Sequence, residues 1–214
     1  MNALVMYDHQ SGTLWSQFLS QGVKGKFAGR RFEIVPLVQT TFGQWVSEHP
    51  DTAILGEGRS GSSDRYDGYY VNNDAEVIGE SVSDDRLARK DKVLGMGFDG
   101  GPKAFPLTEL DATPVVNDRV AGKDVVVFFQ PDTDTALVYS RVLDGTRLEF
   151  EEAVDEDGTV LLRDRKTGSL FLPFTGRGIE GEYAGQQLER VHSVMAFWFA
   201  WSAFYPGTEL YRAA

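Results

Sequence analysis

The 214-residue chain contains no cysteine. Disulfides, thiolate-bound zinc, iron–sulfur clusters and thiol nucleophiles are therefore excluded within it. The compartment stays open, because a cysteine-free protein suits either redox environment. Long apolar runs are also lacking. None approaches the roughly 20 residues that a membrane helix needs, and no charged start leads into an apolar stretch as in a signal peptide. A membrane partner is therefore not expected. Positive charge is in deficit: 21 Lys and Arg stand against 32 Asp and Glu, for a net charge of −11. A phosphate backbone would be repelled by most of such a surface, so nucleic acid is not an expected partner. Histidine occurs only three times, at His9, His49 and His192, never as a pair at helical spacing.

What the chain does have is a stretch that occurs twice. Asp8–Leu55 aligns with Asp164–Tyr211 at a constant offset of 156, without a gap, and 14 of the 48 pairs are identical. Gly22, Gly25, Ala28 and Gly29 match Gly178, Gly181, Ala184 and Gly185, and Trp45, Pro50 and Thr52 match Trp201, Pro206 and Thr208. The period implies two structural units of one kind.

Each copy reads as a turn, a short strand, a glycine-bracketed bend, a second strand (Arg31–Val38 in the first copy), a short helix and a closing strand. The helices are Thr41–Glu48 and Met195–Phe204, each stopped by a proline just beyond its end. The closing strands are Thr52–Leu55 and Thr208–Tyr211. Before the second copy, Thr146–Val154 and Thr159–Arg163 form a hairpin across Asp155–Gly158. The first copy has no residues for that partner strand. The edge formed by residues 3–7 is therefore expected to be covered by a partner or a missing strand. Between the copies, Val93–Phe98 and Lys103–Leu107 read as a hairpin, and Thr108–Asp111 as a helical turn. Val125–Phe129 reads as a buried central strand. Ala136–Val142 is expected to pair with Thr146–Phe150 across the strong turn signal Asp144-Gly145.

The expected class is α+β, predominantly β, with two related copies of a β-rich unit carrying one short helix each. Residues 1–55 are the C-terminal half of a first repeat and 56–91 an irregular connection rich in Gly, Ser and Asp. Residues 92–214 are a complete second repeat, packed with 1–55 as one globular body.

The motifs that carry chemistry are few. Gly95-Met96-Gly97-Phe98-Asp99-Gly100 fits the dinucleotide pattern, but that fingerprint needs a helix directly after it, and a strand-like run follows. A hairpin turn is the better reading. Gly58-Arg59-Ser60-Gly61-Ser62 is not a nucleophile elbow, because a serine stands where the second glycine belongs. Asp132-Thr133-Asp134 and Asp155-Glu156-Asp157 offer too few spaced oxygens for a calcium loop. The remaining polar candidates for a site are Asp132, Asp134 and His49. No cofactor and no metal is expected. The run Phe197–Tyr205 is almost wholly aromatic or small, so its rings point all round a helix. Such a helix belongs in a core, and its more polar counterpart in the first copy makes the halves unequal.

Several runs together resemble the bacterial and archaeal family called domain of unknown function 3179. They are Leu4-Val5-Met6-Tyr7-Asp8, Ser11–Gln17, Phe27–Glu33, Thr40–Trp45, His49-Pro50-Asp51-Thr52, Ala104-Phe105-Pro106-Leu107, Val116-Asn117-Asp118 and Phe197–Trp201. The resemblance implies two copies, with a Cys-Pro-Leu-Cys segment in the first. In the second copy that place is held by Gln130-Pro131-Asp132-Thr133, without either cysteine. The first copy's version would lie upstream of Met1. The resemblance names no activity. Two expectations for function follow. One is a non-catalytic binding or interaction module. The alternative is an enzyme or metal/redox protein whose active residues lie in a missing N-terminal half-repeat.

Overall fold

A computed structural model describes residues 3–55, 68–69, 72, 83–97, 100–156 and 158–213. The first 55 residues give one small antiparallel sheet and one helix. The sheet runs β1 (Val5–Asp8), β2 (Thr13–Ser16), β3 (Gln21–Lys24) in spatial order. Helix α1 (Phe42–Glu48) follows, with Thr41 as its N-cap. Arg31 makes one bridge to Gln21 and the Phe32 amide donates to the Ser20 carbonyl at 2.8 Å, after which residues 33–41 join no strand. The expected strand over Arg31–Val38 is thus only its first residue, and Thr52–Leu55 forms no strand either.

From residue 92 the chain builds the main body. β4 (Lys92–Met96) and β5 (Lys103–Pro106) form the expected hairpin. The G-x-G-x-x-G stretch is therefore a strand end, with Phe98 and Asp99 outside the described residues, and an antiparallel strand follows it rather than a helix. Helix α2 (Leu107–Ala112) leads into β6 (Val115–Val120), β7 (Lys123–Gln130) and β8 (Thr135–Ser140), a three-stranded sheet with β7 in the centre. β8 pairs with β7 and not with the segment after Asp144. The Asp144-Gly145 turn closes instead a two-residue hairpin, β9 (Val142–Leu143) with β10 (Thr146–Arg147). Both turn residues have positive φ, 49° and 78°, which fits the type I′ turn expected there. The strand expected over Thr146–Val154 is split, because Leu148 turns inward between β10 and β11 (Phe150–Val154).

The second copy continues with β12 (Val160–Asp164), β13 (Leu170–Phe171) and β14 (Gly178–Glu180), in one sheet with β11. β15 (Val194–Phe197) comes next, then helix α3 (Trp198–Phe204) and β16 (Glu209–Leu210). The expected helix over Met195–Phe204 therefore starts three residues late. Val194–Phe197 are taken by pairing with β4, which satisfies their backbone groups in a sheet instead. Strands dominate, with three short α-helices among the described residues, so the class is α+β, predominantly β.

Strand periodicity explains the layering. Val125, Val127 and Phe129 of β7 face the sheet β15-β4-β5-β16, together with Leu94, Met96 and Phe105. Val126 and Phe128 face the other way, onto Phe150, Leu162, Phe171 and Leu188. A central strand buried on both faces needs an unbroken apolar run. The far side of β4 and β5 packs Val93 and Ala104 against Trp198 and Trp201 of α3. The order is thus helix, sheet, sheet, sheet. Asn117 stitches the last two layers: its side-chain amide donates to the Phe150 carbonyl at 2.6 Å and its oxygen accepts the Phe150 amide at 2.8 Å.

Positions 156 apart make matching contacts. Gly22 and Gly178 accept from Gly29 and Gly185, both at 2.8 Å. Trp45 Nε1 donates to Thr52 Oγ1 at 2.9 Å and Trp201 Nε1 to Thr208 Oγ1 at 3.1 Å. The two parts also touch. Tyr205 donates its hydroxyl to the Phe18 carbonyl at 2.8 Å, and Phe18 stacks on Phe204 at 4.8 Å.

Candidate functional site

A cleft of about 650 Å³ lies where residues 35–45 face β15. One wall is the extended segment from Val35 to Thr41, continued by Phe42 and Trp45 on α1. The other is His192, Ser193, Val194 and Met195, with Leu94 and Ala136 at the floor. Three local features hold the first wall. Thr41 Oγ1 accepts the Gln44 amide at 3.3 Å and starts α1. Thr135 Oγ1 donates to Thr40 Oγ1 at 2.8 Å, tying the segment to β8. Val38 and Trp45 pack against the cluster that contains Phe174 and Leu188.

The lining contains no Asp, Glu, Lys or Arg. Its single ionisable group is His192, whose imidazole is pushed below its ordinary value by burial. The cleft thus presents aliphatic and aromatic surface with a few uncharged polar groups, the usual make-up of a binding pocket of this size. Two smaller hollows adjoin it. One, of about 260 Å³, shares Val194 and Met195 and is completed by Ala3, Leu4, Gln17 and Phe18. The other, of about 440 Å³, shares Leu37, Val38 and Trp45 and reaches His49, Phe174 and Arg190.

The candidates named from sequence fall around this region without forming one cluster. His49 caps the end of α1, and its ring packs on Trp45 at 4.2 Å between centroids. Asp132 sits exposed in a 3₁₀ turn, Pro131–Thr133, between β7 and β8. Asp134 follows it in a left-handed conformation, with its carboxylate paired to Lys92. Thr133 and Thr135 exchange a hydroxyl bond at 2.7 Å, which links that turn to Thr40 and the cleft wall. Among the described residues no three His, Cys, Asp or Glu side chains are grouped to hold a metal. The serine-rich stretch Gly58–Ser62 lies outside the described residues.

Sequence reasoning missed the cleft itself. Its walls are two equivalent segments: Val38 corresponds to Val194 and Gln39 to Met195 under the offset of 156. That correspondence was visible, but not that the two segments meet across a gap.

Two further sites are structural. The Tyr139 hydroxyl is buried, lies 2.8 and 2.9 Å from the carbonyls of Pro173 and Phe174, and accepts from Arg190 at 3.1 Å. Burial raises its pKa, against the smaller effect of Arg190. The Asp164 carboxylate is fully buried. Burial pushes its pKa up, but the amides of Glu149 and Thr167, the Thr167 hydroxyl and the Lys166 amide together hold it below the usual carboxylate value.

These features define a mainly β protein with a cleft whose lining carries no Asp, Glu, Lys or Arg. No helix among the described residues is long and apolar enough to cross a membrane. The chain belongs to the family described as "Protein of unknown function (DUF3179)", whose model matches residues 1–208. No curated protein and no solved structure matches it.

Proposed function

We propose that the chain is a non-catalytic binding or interaction module built on a duplicated β-rich unit, with the cleft between residues 35–45 and β15 as its binding face. One observation carries this reading: a cleft of about 650 Å³ with an uncharged, largely apolar lining. Such a surface gains free energy when it is covered. It offers no pair of titratable groups poised for acid–base work. The duplication is supported by the hydrogen bonds that recur at equivalent positions. The packing of residues 1–55 and 92–214 as one body is supported by the Tyr205–Phe18 bond and the Thr135–Thr40 bond. In this reading His49 helps position Trp45, while Asp132 and Asp134 lie at the turn that anchors the cleft wall. The acidic balance of the chain leaves nucleic acid outside the expected partners.

The test is a titration with Nile red, an uncharged apolar dye. The wild-type chain should bind it saturably. Leu37 is 85% exposed, so Leu37→Asp places a charge in the lining without disturbing the core. That variant should weaken dye binding by about tenfold or more, the equivalent of about 1.4 kcal/mol. Absence of saturable binding by the wild type refutes the reading.

A further inference from the structure

The second copy shows what covers the segment that the first copy leaves open. Glu189–Phe197 is held by two strands. β8 binds it through Ser140 N to Glu189 O at 2.8 Å and Val191 N to Val138 O at 2.9 Å. β4 pairs with it in the register Val194 to Gly95, Met195 to Leu94, Ala196 to Val93 and Phe197 to Lys92. The fit of β4 has a specific feature. Gly95 lies so close to Trp201 that a Cβ there would stand 2.2 Å from the indole ring. The glycine is what lets the strand pass over the tryptophan.

In the first copy the equivalents are Glu33–Thr41 and Trp45. Among the described residues, no amide from 33 to 40 donates to another backbone group. Trp45 lines the open cleft. The apolar side chains around it stand exposed, while their counterparts are covered. Phe42 is 60% exposed and Trp198 1%, and Val35 is 70% exposed while Val191 packs against the core. Backbone donors and acceptors beside an apolar cleft are the setting for strand addition, in which main-chain bonds give affinity and side-chain pockets give specificity.

We propose that Val38–Thr41 is a docking edge for an extended strand of a separate polypeptide, containing the pattern apolar-apolar-Gly, running antiparallel with its glycine over Trp45. This rests on the binding-module reading and names the partner's chemistry. Charge fits the same occupant. The lining carries no Asp, Glu, Lys or Arg, so an apolar strand buries no unpaired charge there. Residues 1–55 hold four basic and four acidic side chains, so the whole net charge of −11 resides in residues 56–214. The docking half therefore has no net charge to repel a strand of either sign.

The experiment titrates the full chain with a synthetic peptide of the sequence Asp-Lys-Val-Leu-Gly-Met-Gly, that of residues 91–97, by calorimetry. Hydrogen exchange locates the protected amides. The expected result is saturable one-to-one binding with new protection at residues 38–41. A peptide with valine in place of the first glycine, the one equivalent to Gly95, should bind about tenfold more weakly or worse. The proposal is overturned if the valine peptide binds equally well, or if protection appears along β1 instead. Failure of the peptide with Nile red binding intact removes the strand and leaves the module. Failure of both removes both.

Discussion

Trp198 and Phe42 occupy the first position of equivalent helices, α3 and α1, and their environments differ as far as two environments can. Trp198 is 1% exposed, donates its indole N–H to the Asp84 carbonyl at 2.8 Å and lies under the Arg86 guanidinium at 5.2 Å. Phe42 is 60% exposed. Trp198→Ala removes a buried aromatic and leaves a cavity, at a cost of about 3–5 kcal/mol. Phe42→Ala removes a side chain that water already reaches, at a cost below about 1 kcal/mol. For a chain of this size each kcal/mol moves Tm by about 2–4 °C. Trp198→Ala should therefore lower Tm by about 6–20 °C, and Phe42→Ala by less than about 4 °C. Urea unfolding followed by circular dichroism checks the free energies, with unchanged slopes showing that the native state is the same in each variant. Equal losses at the two positions would refute the reasoning, because they would mean that Phe42 is as well covered in solution as Trp198.

Two further predictions concern buried polar groups. Tyr139→Phe deletes the hydroxyl that accepts from Arg190 and lies 2.8 and 2.9 Å from the Pro173 and Phe174 carbonyls. It should cost about 1–3 kcal/mol in urea unfolding, and a neutral result would show that water replaces the hydroxyl there. Asp164→Asn acts on a carboxyl that burial pushes up and hydrogen bonds hold below its unfolded value. Its stabilisation is complete above about pH 4, the unfolded value, and is lost as pH falls through the folded pKa. The variant should lose about 1–3 kcal/mol at pH 7, and the gap to wild type should close as pH falls below about 4.

Periodicity made much of the main body legible. Five consecutive apolar residues at Val125–Phe129 suit only a strand buried on both faces, and β7 is that strand. Asp144-Gly145 dictated a tight turn, and it is one, although with two-residue strands. The misreadings share a cause. Met195–Phe197 have the composition of the helix that follows and Arg31–Val38 that of a strand. Tertiary pairing decides both: β4 claims Val194–Phe197, while no strand among the described residues pairs with 33–41. Local pattern cannot report whether a partner strand is present, and so it could not show the cleft that the unpaired segment lines.

The same fact bears on where the two stretches that match at 14 of 48 positions agree and where they differ. The identical residues include those that each unit needs for its own geometry. Gly22 and Gly178 are two, since a Cβ would stand 2.3 Å from the Phe27 carbonyl oxygen and 2.1 Å from that of Tyr183. The helix tryptophans are others, each tied to its threonine. The helix surfaces did not stay alike. α3 buries Trp198, Phe199, Ala200, Trp201 and Ser202, with both tryptophans packed on Val93, Ala104 and Leu87. α1 buries no residue and carries Gln44, Ser47 and Glu48. An apolar α1 would be an aggregation hazard without a sheet to cover it, so its polar face suits a helix that meets water. Val35, Leu37 and Phe42 depart from that rule, exposed and apolar around one cleft. Other apolar side chains stand exposed too, Leu4, Ile54 and Leu55 among them, but at Val35, Leu37 and Phe42 the exposure coincides with a cleft, which is why the proposed binding face is placed there.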